Sequence, residues 1–500
     1  MEKVHLAGII IYFAVLAGLS FYGLHRYVML YLYYKYRKQK IVPAGHFATL
    51  PKITVQLPLY NEMYVSERLL DAITALDYPR EKLEIQVLDD STDETRAIVA
   101  RRVGELQAQG FDVVHIHRLN RQGFKAGALE NGLRSASGEF IAIFDADFVP
   151  QPELLLQTIH YFTDPKIGML QTRWGHLNEP HSLLTRIQSI LLDAHFLIEQ
   201  TARSRSGRFF NFNGTAGLWR RSCIESAGGW EHDTLAEDLD LSYRAQIKGW
   251  KFLFLSDVIT PAELPVEMNA FKTQQHRWAK GSAQAMKKML PQLWRAKLPL
   301  KIKLEGTMHL TSNLGHVLMF IMCLLFRATA YAGAHEVTRG NEWTKLLLVD
   351  VPLFLAASVS VTAFYLCAQI ELHAKWWKRL LYFPLMMAVG IGLSLNNARA
   401  VIEALFNHKT DFIRTPKLGD QLRAGVSRLP AYRSLRGLIP YLEIGLGGYF
   451  SYFMYETLNR QQWMSAVFVG LCQVGFFYVG FLSLLQTRTW FRRAQPLAPA

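Results

Sequence analysis

The sequence predicts an α/β domain with a largely parallel sheet, inserted between transmembrane helices and followed by a multi-span α-helical membrane domain. Two observations predict it. Between residues 45 and 290, short apolar runs of strand length alternate with helical patterns, as in consecutive βαβ units. On either side of that stretch lie uncharged apolar runs long enough to cross a bilayer. Half of the 500 residues are hydrophobic, enough for two or three domains with a large core.

Residues 6–24 form the first apolar run. It is too long for a cleavable signal peptide and continues into His25, Arg26 and an aromatic belt from Tyr31 to Tyr36. Residues 1–34 therefore read as an N-terminal transmembrane helix with a basic exit at Lys35, Arg37 and Lys38. Residues 45–285 follow as the α/β domain. Its predicted strands are 53–58, 84–88, 113–117 and 140–144, separated by helical patterns near 65–76, 93–108 and 125–136. Residues 286–304 mix Lys and Arg with Leu, Trp and Ile, and read as one amphipathic helix at the membrane surface.

The remainder, 305–500, is mostly membrane. Its apolar runs are 306–326, 351–370, 380–398 and 462–486, with a less regular one at 437–455 that contains Glu443. Basic loops around Lys375, Lys378 and Arg379, from Lys409 to Arg436, and at Arg488, Arg492 and Arg493 set the orientation. Placing all of them in the cytosol requires residues 380–406 to enter and leave on one side. Pro384, Gly390, Gly392, Asn396, Asn397, Arg399 and Glu403 make that stretch suited to a re-entrant or interfacial path. The expectation is five spanning helices and one that does not cross, with the α/β domain cytosolic, in an inner, plasma or Golgi-type membrane.

A net charge of +14 fits nucleic acid, anionic lipid or a phosphorylated substrate. Nucleic-acid binding leaves the membrane runs unexplained, so the expected partners are the lipid bilayer and a phosphorylated small molecule. The four cysteines are scattered, three of them in membrane runs, and make neither a zinc site nor a disulfide framework.

The stretch most informative about chemistry is Phe140–Pro150. An apolar run enters Asp145-Ala146-Asp147 and stops at a proline. By itself such a pair is more often a solvated turn. At the carboxyl end of a buried parallel strand it lies where open α/β sheets bind ligands. Paired carboxylates there suit Mg²⁺ or Mn²⁺ held together with substrate phosphates. The first two strands also end in polar residues, Tyr60-Asn61-Glu62 and Asp89-Asp90-Ser91-Thr92-Asp93, so all these tips are expected to line one crevice.

The ordered set QLPLYNE (56–62), QVLDDSTDET (86–95), KAGAL (125–129), FDADF (144–148), FNGTAGLWR (212–220), AEDLDLSYR (236–244) and QQHRW (274–278) resembles the membrane-embedded family 2 glycosyltransferases. The pattern is most similar to the cellulose-synthase-like A and C group of mannan, glucomannan and glucan backbone synthases and their bacterial relatives. It covers residues 50–290 closely and the membrane part more loosely, through FIRTPKLGD (412–420). The resemblance implies a GT-A-like (Rossmann-like) domain and transfer of a hexose from UDP-glucose or GDP-mannose to a growing polysaccharide.

Each motif then takes a role. The resemblance gives Asp145 and Asp147 the divalent ion, and Tyr60, Glu62, Asp89, Asp90, Lys125, Gln274 and Arg277 the nucleotide and diphosphate. Lys125 offers a point charge and Arg277 a planar fork for phosphate oxygens. Asp238 is the expected catalytic base, since a sugar hydroxyl is a poor nucleophile at neutral pH. It matches the family's TED aspartate, although the preceding residues here are Ala236-Glu237 and the usual threonine is missing. Asn213, Gly214, Thr215, Trp174, Glu237 and Trp278 are assigned to the acceptor, with His176 beside Trp174, and Arg414, Thr415 and Lys417 to a gating loop within 407–420. One base and no candidate nucleophilic carboxylate imply inversion by single displacement. Two other readings stay open: a single transfer to a membrane lipid such as ceramide or a polyprenyl phosphate, and a non-catalytic scaffold or transporter.

Overall fold

The computed structural model describes residues 2–332, 355–408, 417, 419 and 437–493. The chain begins with helix α1 (Glu2–Tyr36) and enters the α/β domain at β1 (Ile53–Leu59). Next come α2 (Ser66–Thr74), β2 (Leu83–Asp89), α3 (Thr95–Ala108), β3 (Asp112–His117), α4 (Phe124–Ser135), β4 (Phe140–Ile143) and α5 (Leu154–Ile159). The four expected strands and the helices between them are all present.

Sequence periodicity gave no warning of the second half of the sheet. It contains β5 (Ile167–His176), α6 (Leu183–Ala194), α7 (Thr201–Arg205), β6 (Gly217–Arg220), α8 (Arg221–Ser226), α9 (Glu237–Ile247) and β7 (Lys251–Ala262). The seven strands lie in the order β3-β2-β1-β4-β6-β5-β7. All neighbours are parallel except β6, which runs antiparallel to β4 and β5. Because β6 is reversed, the residues preceding it emerge at the same edge as the carboxyl ends of β1 to β4. That edge is the ligand-binding edge of such sheets.

Both faces of the sheet are covered, which is why β1, β2 and β4 are buried almost throughout. Val55, Leu57, Ile85 and Val87 pack against Leu69 and Leu70 of α2 and Val99 and Val103 of α3. On the other face, Ile141 and Ile143 meet Leu129 of α4, Ile224 of α8 and Leu241 of α9.

The link to the apolar half is α10 (Met268–Arg295), a single long helix, followed after a break by α11 (Leu300–Thr311). The expected amphipathic helix 286–304 is thus two pieces. Its first half extends α10, and the chain turns extended at Ala296 and Pro299, where proline bars continuation of the earlier helix. The apolar helices are α12 (Leu314–Ala332), α13 (Ser360–Leu372), α14 (Phe383–Gly392), α15 (Ser394–Leu405), α16 (Ile439–Asn459) and α17 (Trp463–Arg493).

Among the described residues, three helical stretches are long and apolar enough to cross a membrane: Ile10–Tyr36, Trp376–Leu405 and Ser465–Gln486. The pair Leu300–Thr311 and Leu314–Leu325, bent by 53°, makes a fourth if it is one span. The set differs from the sequence expectation. Residues 376–405, expected not to cross, have the length and composition to do so, whereas 355–372 and 437–455 do not qualify among the described residues. In α16 the apolar run is interrupted by Glu443, which is fully buried against Lys272 of α10 at 2.7 Å. Gln369 of α13 and His373 just past its end reach Asp193 of α6 at 3.2 and 3.5 Å. Polar pairs of this kind lock the α/β domain to the apolar helices.

Candidate active site

The antiparallel β6 brings the turn 213–216 against the end of β4. The Ala216 amide donates to Ile143 O (2.8 Å), and the Asp145 amide donates to the Thr215 hydroxyl (2.8 Å). Gly214 occupies φ +83°, a conformation that favours glycine. A Cβ built there would lie 3.1 Å from Asp238 Oδ2 and 3.5 Å from Lys125 Nζ. The missing side chain therefore lets both the Asp238 carboxylate and the Lys125 ammonium close on this turn.

Lys125, in the first turn of α4, donates to Gly214 O (2.9 Å) and pairs with Asp145. Burial works to lower its pKa, but the charges of Asp145, Glu237 and Asp238 outweigh it, and the ammonium is held above its usual value. Asp147, nearly buried, carries a different cation: Lys417 donates to its Oδ2 at 2.5 Å and also reaches Glu263 O at 3.3 Å. Gly419 follows with its amide 3.3 Å from Glu263 Oε2. Lys417 is thus at the sheet edge that carries Asp147; Arg414 and Thr415 lie outside the described residues.

Glu237 and Asp238 open α9. Burial is the main cause that raises both pKa values, with Glu237 adding repulsion at Asp238, which is pushed up to about 7. The Leu239 amide (2.7 Å) and the positive field of Lys125 oppose the shift without cancelling it. Gln274, Arg277 and Trp278 recur at i, i+3 and i+4 on α10 and share one helix face. Burial lowers the Arg277 pKa, while the charges of Asp145, Glu237, Asp147 and Glu62 resist that change. All four carboxylates therefore act on this one guanidinium. Tyr60, at the tip of β1, lies under Arg121, whose guanidinium carbon is 3.4 Å from the ring centroid.

Asp89, the last residue of β2, and Asp90, just past it, take different partners. Asp90 is gripped by the fork of Arg118 (Nε 2.8 Å, Nη2 2.5 Å), on the side of the loop that leads to Lys125. Asp89 is fully buried, and its carboxylate accepts from the Ser91 amide (2.8 Å) and lies 2.9 Å from His115 Nε2. Burial pushes its pKa up, but those contacts prevail and lower it. Asn213 is likewise fixed: its amide donates to Gln171 Oε1 (2.9 Å), its Oδ1 accepts from Gln200 (2.6 Å), and its Nδ2 lies 3.0 Å from His195 Nε2. Trp174 is wedged between Phe148 and Phe196, ring centroids 5.1 and 4.9 Å away. Its buried Nε1 has no hydrogen-bond partner among the described residues. His176, expected as part of the same wall, instead meets Asp193 at 3.0 Å.

With this geometry in view, residues 51–281 match the family described as Glycosyltransferase like family 2. A rice protein (Oryza sativa subsp. japonica) named Probable glucomannan 4-beta-mannosyltransferase 9 is 32% identical over 477 residues, covering 89% of this chain and 86% of the relative. The chain belongs to glycosyltransferase family 2. A second relative of this glycosyltransferase, Glucomannan 4-beta-mannosyltransferase 7 of Arabidopsis thaliana, is 33% identical, covering 87% of this chain and 77% of its own. Among solved structures, "Mannosyltransferase PcManGT from Pyrobaculum calidifontis in complex with GDP-Man and Mn2+" superposes with a TM-score of 0.54 at 22% identity, covering 80% of this chain and 99% of the other. That likeness shows the fold, which is GT-A-like.

Sequence reasoning on this glycosyltransferase missed several residues that shape the site. Gln171 of β5 ties the 213–216 turn through Asn213 N, Thr215 O and Ala216 O. His195 and Gln200 belong to a π-helical turn, His195–Gln200, between α6 and α7. Such turns gather at functional sites but carry no reliable sequence mark. Arg118 and Arg121, in contrast, were within reach, since both lie between a strand end and the KAGAL motif.

Proposed function

We propose that this glycosyltransferase moves mannose from GDP-mannose onto the end of a β-1,4-linked mannan or glucomannan, with inversion, and that the polymer stays bound between transfers while its far end passes through the membrane helices. The names of relatives that it covers over most of their length support the sugar and the linkage. The observation that carries the chemistry is the Gly214 turn, against which Lys125 and Asp238 both close. A hydroxyl activated by Asp238 attacks the anomeric carbon while the diphosphate departs toward Lys125 and Arg277. A single displacement then converts an α-linked donor into a β-linked product.

Asp145 and Asp147 supply hard oxygen donors, and each is already matched with an ammonium, Lys125 or Lys417, so the position is built for positive charge. These carboxylates fit Mg²⁺ or Mn²⁺. Such an ion supplies neutralisation of the leaving diphosphate when bound. Tyr60, Glu62 and Asp90 are assigned to the nucleotide and Trp278 to the acceptor sugar, with Arg414, Thr415 and Lys417 as a gate. In this reading the enzyme is a multi-pass membrane protein with residues 45–285 on the cytosolic side, where sugar nucleotides are found.

Purified protein incubated with labelled GDP-mannose or UDP-glucose, in Mg²⁺ or Mn²⁺, tests the proposal. The expected result is label from GDP-mannose in a polymer that endo-β-1,4-mannanase degrades, with β-anomeric signals in its proton NMR spectrum. Label incorporated from UDP-glucose alone, a product of one sugar on a lipid, or an α-linkage would overturn it.

A further inference from the structure

Asp89, which the family resemblance assigns to the nucleotide, is fully buried and forms a cluster with His115 and His117. β2 and β3 are paired in parallel register, with Asp89 opposite His117. His115 and His117 are two residues apart on β3 and therefore share the face that carries Val113, on the α3 side of the sheet. Asp89 Oδ2 lies 2.9 Å from His115 Nε2 and 3.8 Å from His117 Nδ1, and the three ligand atoms lie within 4.8 Å of one another. The Ser91 amide holds the other carboxylate oxygen at 2.8 Å, which fixes the orientation of Oδ2 toward the two rings. His117 Nδ1 is buried and has no hydrogen-bond partner among the described residues.

Nitrogen and oxygen ligands about 2.1 Å from a shared ion, at angles near 90–109°, sit roughly 3.0–3.4 Å apart. The two measured separations bracket that range, and the third lies within 4.8 Å. A second acidic cluster, Glu231, Asp233 and Asp240, makes a useful contrast. There Lys288 Nζ already sits among the carboxylates at 2.5, 2.8 and 3.1 Å. At Asp89 no lysine or arginine plays this part among the described residues, because Arg118 is committed to Asp90.

We propose that Asp89, His115 and His117 bind a divalent transition-metal ion of the zinc type, separate from any ion at Asp145 and Asp147. Two imidazoles with one carboxylate favour Zn²⁺, Co²⁺ or Ni²⁺ over Mg²⁺, which prefers oxygen alone. The ion ties the edge strand β3 to β2. It thereby fixes the start of the loop that places Arg118 on Asp90 and leads to Lys125. Its role is structural, and two chemically distinct ions then serve one domain.

The test uses the full chain without a histidine tag, stripped by chelator and titrated with Co²⁺ alone. Wild type and Asp147→Asn are expected to take up one equivalent with the visible spectrum of imidazole-bound Co²⁺, and Zn²⁺ is expected to raise the melting temperature of both. His115→Gln and His117→Gln are each expected to weaken Co²⁺ binding more than about tenfold and to lose the Zn²⁺ effect on melting. Unchanged Co²⁺ affinity in both histidine variants, or no such spectrum in folded wild type, overturns the proposal. Should the variants fail to fold, zinc-edge X-ray absorption of the wild type decides. Two imidazoles in the ligand shell support the site, and a shell of oxygen or sulfur alone contradicts it.

Discussion

The carboxylates at the strand ends and those at the start of α9 lie in one site but are treated in opposite ways. Asp90, Asp145 and Asp147 each have a cationic partner within contact, Arg118, Lys125 and Lys417 respectively. Glu237 and Asp238 stand half-buried side by side, and the Lys125 ammonium that acts on both is already engaged by Asp145 and Gly214 O. Burial without a dedicated cation raises the pKa, as expected where the charged form loses hydration. The first group is arranged to hold charge, and the second to accept and release a proton. That division is the physical basis for assigning the donor phosphates to the first group and the acceptor hydroxyl to the second.

Removing the base tests the division most severely. Asp238→Asn is expected to lower kcat by about 10²–10⁴ while GDP-mannose binding, read by calorimetry, is unchanged. Equal loss of binding would put Asp238 with the donor group instead. On the other side, Asp147→Asn and Lys417→Ala should act with opposite signs. The first raises the Mn²⁺ concentration for half-maximal rate by about tenfold or more, roughly 1.4 kcal/mol of ion binding. The second, which frees Asp147 of its competing ammonium, improves Mn²⁺ binding by about threefold in a titration without donor. A smaller effect is expected between the two groups. Gly214→Ala forces a side chain into positive φ and against Asp238, costing about 1 kcal/mol of stability in a denaturant melt, with a loss of kcat alongside.

The sheet tips were readable in the sequence because a strand buried on both faces must be continuously apolar, and its polar end marks the edge. Phe140–Ile143 satisfies that rule outright, whereas Ile53–Leu59 and Leu83–Asp89 carry buried polar residues that pair across the two strands, Thr54 with Glu84 and Gln56 with Gln86. β6 escaped notice because it has only four residues, Gly217–Arg220, and reverses direction without a hairpin. β5 runs from buried residues into half-buried ones, Arg173 to His176, which blurs its pattern. Which residues gather at the site was largely legible; which way each one faces was not. Asp89 and Asp90 looked equivalent in sequence, yet one turns to His115 and the other to Arg118. His176 looked like part of the acceptor wall, yet it serves the joint with α6 and α13 through Asp193. The same limit applies to the membrane half. Composition marked the apolar runs, but the buried Lys272–Glu443 pair that interrupts one of them depends on a partner 171 residues away.

The pH dependence of kcat at saturating donor and acceptor probes the central claim most directly. A base must be deprotonated to work, so a carboxyl raised to about 7 predicts a rate that climbs with pH through the neutral region and levels off above it. The account predicts an acid limb near pH 7 in the wild type that is absent from the residual activity of Asp238→Asn. A rate that stays level down to pH 5, or a limb that survives the substitution unchanged, would contradict it.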